Sequence, residues 1–264
     1  MDLTLRSWAE RLTRSLWFKR RLPPPFDSAS IYVSPSAGLG YAFKSMASID
    51  PLLLRCAETF VRPGDTVWDI GANVGLFAVA AAARAGAQGQ IVAFEPDVWL
   101  AQLLRRTNEI RPSSSAPMTI VPAAVAKDIA IRDFAMAARA RSSNALAEYG
   151  GSQMGGVTKR HSVPAFNLDW LLTQLPAPNL IKIDVEGAEL EVLRGQSLML
   201  EKVRPVILCE VGSANADAIT ALLTAARYRL YDGERPLEPN NSIDHAAWST
   251  VALPVEHSDR YLPR

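Results

Sequence analysis

The chain reads as an α/β protein with a doubly wound, seven-stranded and mostly parallel sheet, preceded by an N-terminal helical extension. Three observations predict this. From about residue 50 onward, short apolar runs alternate with helical segments, the pattern of strands joined by crossover helices. A glycine-rich turn, Gly71-Ala72-Asn73-Val74-Gly75, joins the first such run to an alanine-rich helix. The 264 residues are 48% hydrophobic and 21% charged, which suits one large packed domain and excludes a disordered or collagen-like chain. The division falls near residue 50, with 1–49 as a helical cap and 50–264 as the main domain.

A helix is expected over 3–18, then a turn at Pro23-Pro24-Pro25 and an extended stretch at 30–34. Asp50-Pro51 is a good cap and first-position pair for a helix over 50–60. The first core strand is Thr66-Val67-Trp68-Asp69-Ile70, and the alanine-rich 74–85 segment predicts a helix stopped by Gly86. A second strand at 91–95, a helix at 97–108, and strands at 118–122 and 129–135 follow. Residues 137–161 hold four glycines with Ser142, Ser143 and Asn144, and read as a loop excursion. Beyond it come a helix at 167–174, a strand at 180–185, a helix at 188–199 and a strand at 206–211. A helix at 214–226 and strands at 227–231 and 249–254 complete the domain.

Twenty-eight basic residues face 27 acidic ones, so no global field favours a polyanion, and nucleic acid is not expected as a partner. The charge is unevenly placed. Residues 1–21 carry six basic side chains against two acidic, a net +4, which leaves −3 for the rest of a chain whose total is +1. Cys56 and Cys209 have 152 residues between them and no Cys-x-x-Cys pattern, so neither a zinc site nor a disulfide framework is expected. The longest uncharged stretches are shorter than the ~18 apolar residues a membrane span requires. No secretory leader pattern opens the chain, and a cytoplasmic location is expected.

The chemistry gathers at strand ends. Strand one delivers Asp69 and the Gly71–Gly75 turn into a helix start, and strand two ends at Glu95, twenty positions beyond Gly75. Ligands of open α/β sheets sit outside the carboxyl ends of strands, and an acidic residue there can accept both hydroxyls of a ribose. A dinucleotide fingerprint starting at Gly71 would need glycines at positions occupied by Asn73 and Leu76, because a pyrophosphate requires close backbone approach. An NAD-dependent oxidoreductase is therefore the weaker alternative. A nucleoside cofactor without a phosphate fits better.

Four blocks carry a family resemblance: Asp69-Ile70-Gly71-Ala72-Asn73-Val74-Gly75, Ala93-Phe94-Glu95-Pro96, Leu168-Asp169-Trp170-Leu171, and Lys182-Ile183-Asp184-Val185-Glu186-Gly187-Ala188-Glu189. Over roughly residues 50–212 the chain resembles the FkbM-family methyltransferases. The resemblance implies a class I, Rossmann-like methyltransferase sheet, S-adenosyl-L-methionine as cofactor, and O-methylation of a saccharide, polyketide or related small metabolite. By position it puts Asp69, Gly71, Asn73 and Gly75 on the methionine side, Glu95 on the ribose, Ala123 and Ala124 near adenine, and Asp184 beside the methionine ammonium or the acceptor.

Asp184 and Glu186 are the candidate catalytic residues, since a hydroxyl acceptor must lose its proton. His161, in the excursion, is a third candidate base. Glu186 also has a plain structural reading as a carboxylate at a helix start, a placement worth ~0.3–1 kcal/mol. Asp184 and Glu210 end neighbouring strands, so Mg²⁺ is conceivable, but no third ligand is apparent and no metal site is assigned. Leu5, Trp8, Leu12 and Leu16 form one face of the expected N-terminal helix. Docking of that face on the domain or on a second subunit, as in a homo-oligomer, is the first reading, and peripheral membrane contact through residues 1–21 is the second. A cofactor-binding module without turnover is the reading outside enzymology.

Overall fold

Extended β-branched and basic residues at the start of the chain form a hairpin: β1 (Phe18–Arg21) runs antiparallel to β2 (Ser30–Val33). The computed structural model describes residues 16–137, 145–148 and 157–262. Within the extension a hairpin and the short α1 (Leu39–Phe43) therefore replace the expected helical cap from residue 18 onward, and residues 3–15 of the expected helix lie outside the described residues. The reason is local: Leu22, Phe26, Ile31 and Val33 bury their side chains against the main domain, a pattern that suits a folded-back ribbon. Trp17 packs edge-on against Trp99 and lies beneath the Arg106 guanidinium, 3.8 Å from the ring centre.

Asp50 caps α2 (Pro51–Phe60) by accepting from the Leu53 N–H at 3.0 Å, with Pro51 at the first helical position. Two β-α steps and a third strand follow: β3 (Thr66–Ile70), α3 (Leu76–Ala85), β4 (Gln90–Phe94), α4 (Val98–Glu109) and β5 (Met118–Val121). Helix α3 starts two residues later than expected because Gly75 takes a left-handed conformation as its cap.

The next four strands leave the main sheet. β6 (Ala124–Val125), β7 (Ala130–Ala137), β8 (Ala145–Leu146) and β9 (Val157–Phe166) form a separate four-stranded sheet in the order β6-β9-β7-β8. The strand expected at 129–135 is thus real but pairs with β9, and the end of the expected excursion is β9 itself, from Val157. Residues 138–144 and 149–156 lie outside the described residues.

The chain returns through α5 (Leu168–Leu171) and β10 (Leu180–Ile183) to α6 (Glu189–Leu193), β11 (Val206–Glu210), α7 (Ala216–Ala225), β12 (Tyr228–Asp232), β13 (Ser242–Ile243) and β14 (Ser249–Pro254). The single helix expected over 188–199 is broken after α6, where Gly195 turns left-handed (φ 71°), and a π-helical segment resumes at Leu198–Val203. Asp169 starts that segment by accepting from the Leu198 and Met199 N–H groups.

The main sheet has the order β13-β12-β14-β11-β10-β3-β4-β5, with β11, β10, β3, β4 and β5 parallel and the other three antiparallel. The α/β expectation holds, with eight strands and a mixed sheet in place of a mostly parallel one of seven. The extra strand is β13, two residues long and without an apolar pattern to announce it. Two apolar clusters cover the two faces: α2, α3, α4 and the hairpin on one, α5, α6, the π-helical segment and α7 on the other. No helix among the described residues is long and apolar enough to cross a membrane.

Candidate active site

Parallel strands expose their carboxyl ends together, and β3 and β10 end side by side, paired from Leu180↔Val67 to Ile183↔Ile70. After Ile70 the chain turns sharply, with Gly71, Asn73 and Gly75 all left-handed (φ 77°, 52° and 90°). Glycine is required at 71, because a Cβ there would lie 1.8 Å from the Asp184 carbonyl oxygen. A Cβ at Gly75 would meet Leu104 at 2.5 Å, so this residue serves helix packing. Asn73 tolerates the left-handed region better than most residues. Its side-chain Oδ1 is buried without a hydrogen-bond partner among the described residues.

Glu95 follows β4 and is only 5% exposed. Its Oε2 accepts from the Asn73 N–H and its Oε1 from the Asp97 N–H, each at 2.8 Å. Burial pushes its carboxyl up to about 8 against these two donors. Each oxygen retains a second lone pair for a further donor.

Gly71, Asn73, Glu95, Ala123, Ala124, Asp184 and Glu186 line one open cleft of about 600 Å³. Seven of the nine residues assigned from sequence to the cofactor or to catalysis, His161 apart, therefore meet there. Asp69 and Gly75 do not line it. Asp69 lies beneath the turn with no exposed surface. Its neutralising partner is Lys182, whose Nζ lies 3.2 Å from both Asp69 Oδ1 and Asp184 Oδ2 and donates to the Gly71 carbonyl at 2.7 Å. Burial works against the ammonium, but the Asp184 and Asp69 carboxylates outweigh it and raise its pKa. Lys182 has no role in the sequence reading, although a lone cation inside Leu180-Ile181-Lys182-Ile183 is a legible signal: buried lysines are rare unless paired.

The turn after β10 is held from below. Glu186 is left-handed (φ 52°) and Gly187 follows at φ 101°. Glu189 Oε1 accepts from the Gly187 N–H at 2.6 Å, and the Asn215 side-chain amide donates to both the Gly187 carbonyl and Glu189 Oε2 at 3.0 Å. A strained non-glycine backbone conformation persists only where its surroundings impose it, and such positions concentrate at functional sites. The Glu186 side chain stands at the exposed rim. Partial desolvation, with Asp184 and Glu189 adding repulsion, pushes its carboxyl up to about 7.

The second sheet roofs the cleft with Phe134 and Leu146. The strand at 129–135 that carries Phe134 is expected from the sequence, but its place over the cleft is not, because that depends on pairing with β9 across the excursion. His161 sits opposite Phe134 in the β7–β9 register but is exposed and does not line the cleft. Among the described residues no three His, Cys, Asp or Glu side chains gather closely enough to hold a metal ion.

Residues 69–230, more than half of the chain, match the model of the methyltransferase FkbM domain. The chain is 28% identical over 178 residues to the hexuronic acid methyltransferase AglP of Haloferax volcanii, a match that covers 67% of this chain and 66% of that protein, just under two thirds of its length. Among solved structures, a methyltransferase FkbM from Methylobacillus flagellatus KT aligns over 95% of this chain and 59% of its own, with 15% identity and a TM-score of 0.47. A precorrin-6y C5,15-methyltransferase from Geobacter metallireducens GS-15 aligns over 80% of this chain and 88% of its own, with 13% identity and a TM-score of 0.42. With three of the four sequence blocks folded around one cleft and the domain match spanning all four, the chain belongs to the FkbM methyltransferase family.

Proposed function

We propose that the protein is an S-adenosylmethionine-dependent O-methyltransferase whose acceptor is a hydroxyl of a saccharide, polyketide or related small metabolite. The saccharide is the first choice, given the likeness to a hexuronic acid methyltransferase. The observation that carries the reading is the convergence of Asn73 and Glu95 from one side with Asp184 and Glu186 from the other on a single cleft.

The residues suit this cofactor. The unpartnered Asn73 Oδ1 and the glycine turn would hold the methionine end, Glu95 would accept the two ribose hydroxyls, and Ala123, Ala124 and Phe94 would flank a flat base. Asp184, which lines the same cleft, would meet the ammonium. An NAD reading is disfavoured because the side chains of Asn73 and Leu76 stand where a pyrophosphate needs glycine.

Bound S-adenosylmethionine supplies a methyl group activated by its sulfonium leaving group. The protein must align the acceptor oxygen and remove its proton. Alignment can be worth up to roughly 7–11 kcal/mol in well-oriented cases, and a general base adds about 10²–10⁴-fold. Glu186 is the proton acceptor we favour, because a base near neutrality is half ionised where it must act, and Asp184 is the alternative.

Calorimetry with S-adenosylmethionine and with NAD tests the cofactor, and Glu95→Ala should abolish binding of the former. A labelled methyl donor offered with glycans and macrolides tests turnover. Cofactor binding without label transfer to any hydroxyl would favour a binding module instead.

A further inference from the structure

A second cavity, of about 380 Å³, adjoins the first along β10: Lys182 and Ile183 line the second, and Asp184, Val185 and Glu186 line the first. Its walls come from the start of α2 and the carboxyl end of β11, with Ser249 and Val251 of β14. They combine apolar surface at Leu52, Leu208 and Val251 with the carboxylates of Asp50 and Glu210. Asp50 accepts from the Leu53 N–H. Glu210 makes no side-chain hydrogen bond or ion pair among the described residues. We propose that this cavity receives the methyl acceptor and selects an uncharged carbohydrate against its uronate counterpart. The proposal rests on the methyltransferase reading above and adds the charge of the acceptor to it.

The argument is an inventory of charge. Lys182 is the one Lys, Arg or His among the described residues lining either cavity, and it is already engaged by Asp69, Asp184 and the Gly71 carbonyl. Arg55, in α2 but outside the lining, is engaged as well: its guanidinium donates to the carbonyl of the lining residue Gly233 at 2.7 Å. Asp50 and Glu210 line the second cavity, and Asp184 and Glu186 line the first beside it. Desolvation first and Asp184 next push Glu210 up to about 7, so these groups already repel one another.

Sugar hydroxyls donate hydrogen bonds, and carboxylates are strong acceptors for them. The C–H faces of a pyranose suit leucine and valine walls. A uronate brings a further negative charge with no free cation among the described residues lining either cavity to meet it, and like charges placed together across an interface are strongly disfavoured.

The test compares a methyl hexopyranoside, the matching uronate and the methyl ester of that uronate at pH 8.5, with labelled S-adenosylmethionine. The expected result is label transfer to the neutral glycoside and the ester with kcat/KM about tenfold or more above the uronate. Glu210→Gln should narrow the gap by raising uronate turnover while the affinity for S-adenosylmethionine is retained. Equal or better turnover of the uronate by the unaltered protein overturns the proposal, as does label transfer to neither sugar by protein that binds the cofactor. Absence of S-adenosylmethionine binding instead removes the methyltransferase reading on which the proposal stands.

Discussion

The Cα of Gly71 packs so tightly against the Asp184 main chain that a methyl group at position 71 would lie 1.8 Å from the Asp184 carbonyl oxygen. Gly71 also has φ 77°, which L side chains resist by ~1–2 kcal/mol. Gly71→Ala should therefore push the ends of β3 and β10 apart. With overpacking adding ~1–3 kcal/mol, the melting temperature should fall by roughly 5–15 °C. Cofactor binding should be lost even well below that temperature. A variant that binds S-adenosylmethionine normally in calorimetry would remove the turn from the site.

Lys182 bridges two carboxylates, one of them fully buried. Lys182→Met should leave Asp69 buried without its counter-charge, and breaking a buried pair on one side costs about 3–5 kcal/mol. Adding Asp69→Asn should recover much of that loss. Urea unfolding of the two variants gives the comparison, and a single variant within 1 kcal/mol of the parent in stability would show that the pair is idle.

Glu95 makes a prediction about pH with a definite sign. Its pKa of about 8 in the folded protein lies above the ordinary 4.5, so the native state holds the proton more tightly than the unfolded chain does. Its contribution to stability is fully present below about 4.5 and is lost as pH rises through 8. Melting temperatures of the unliganded protein should decline over that window, and Glu95→Gln should flatten the decline. Ribose hydroxyls favour the ionised carboxylate, so affinity for S-adenosylmethionine should rise roughly tenfold between pH 7 and 9. An affinity that falls with pH would contradict the ribose role.

If Glu186 is the base, methyl transfer should increase with pH through about 7, where its carboxyl loses its proton. Glu186→Gln should lower kcat by about 10²–10⁴-fold, abolish that limb of the profile and leave cofactor affinity within a few-fold. A variant that keeps the limb would direct attention to Asp184→Asn.

Most of the central sheet is visible in the chain because its parallel strands are buried on both faces and read as unbroken apolar runs, as in Val67-Trp68 and Leu180-Ile181. The turn at Gly71–Gly75 and the acid at Glu95 are equally legible, since each answers a backbone or hydrogen-bond demand set locally. What escapes is long-range pairing. β6 meets β9 across some forty residues, so the roof residues Phe134 and Leu146 carry no local mark of their task. The break after α6 escapes for another reason: Asp169, distant in sequence, supplies the acceptor that restarts the backbone as a π-helical segment. The extended stretch expected at 30–34 is found as β2, but its partner β1 is not foreseen, because the hairpin is decided by what Phe26 and Ile31 can bury against, which only the folded domain provides.

The pairing of β3 with β10 also sets an order of events on the ribosome. Asp69 is synthesised with its neighbours β4 and β5 close behind, but the ammonium that neutralises it arrives only with Lys182, over a hundred residues later. Until then the amino-terminal half can collapse around α3 and α4, yet its central strand must keep a carboxylate in contact with water. The cleft is complete only once Asp184, Val185 and Glu186, which line it, have been made. The electrostatic lock and the binding site are completed together, when the Lys182–Glu186 segment emerges and slides in beside β3.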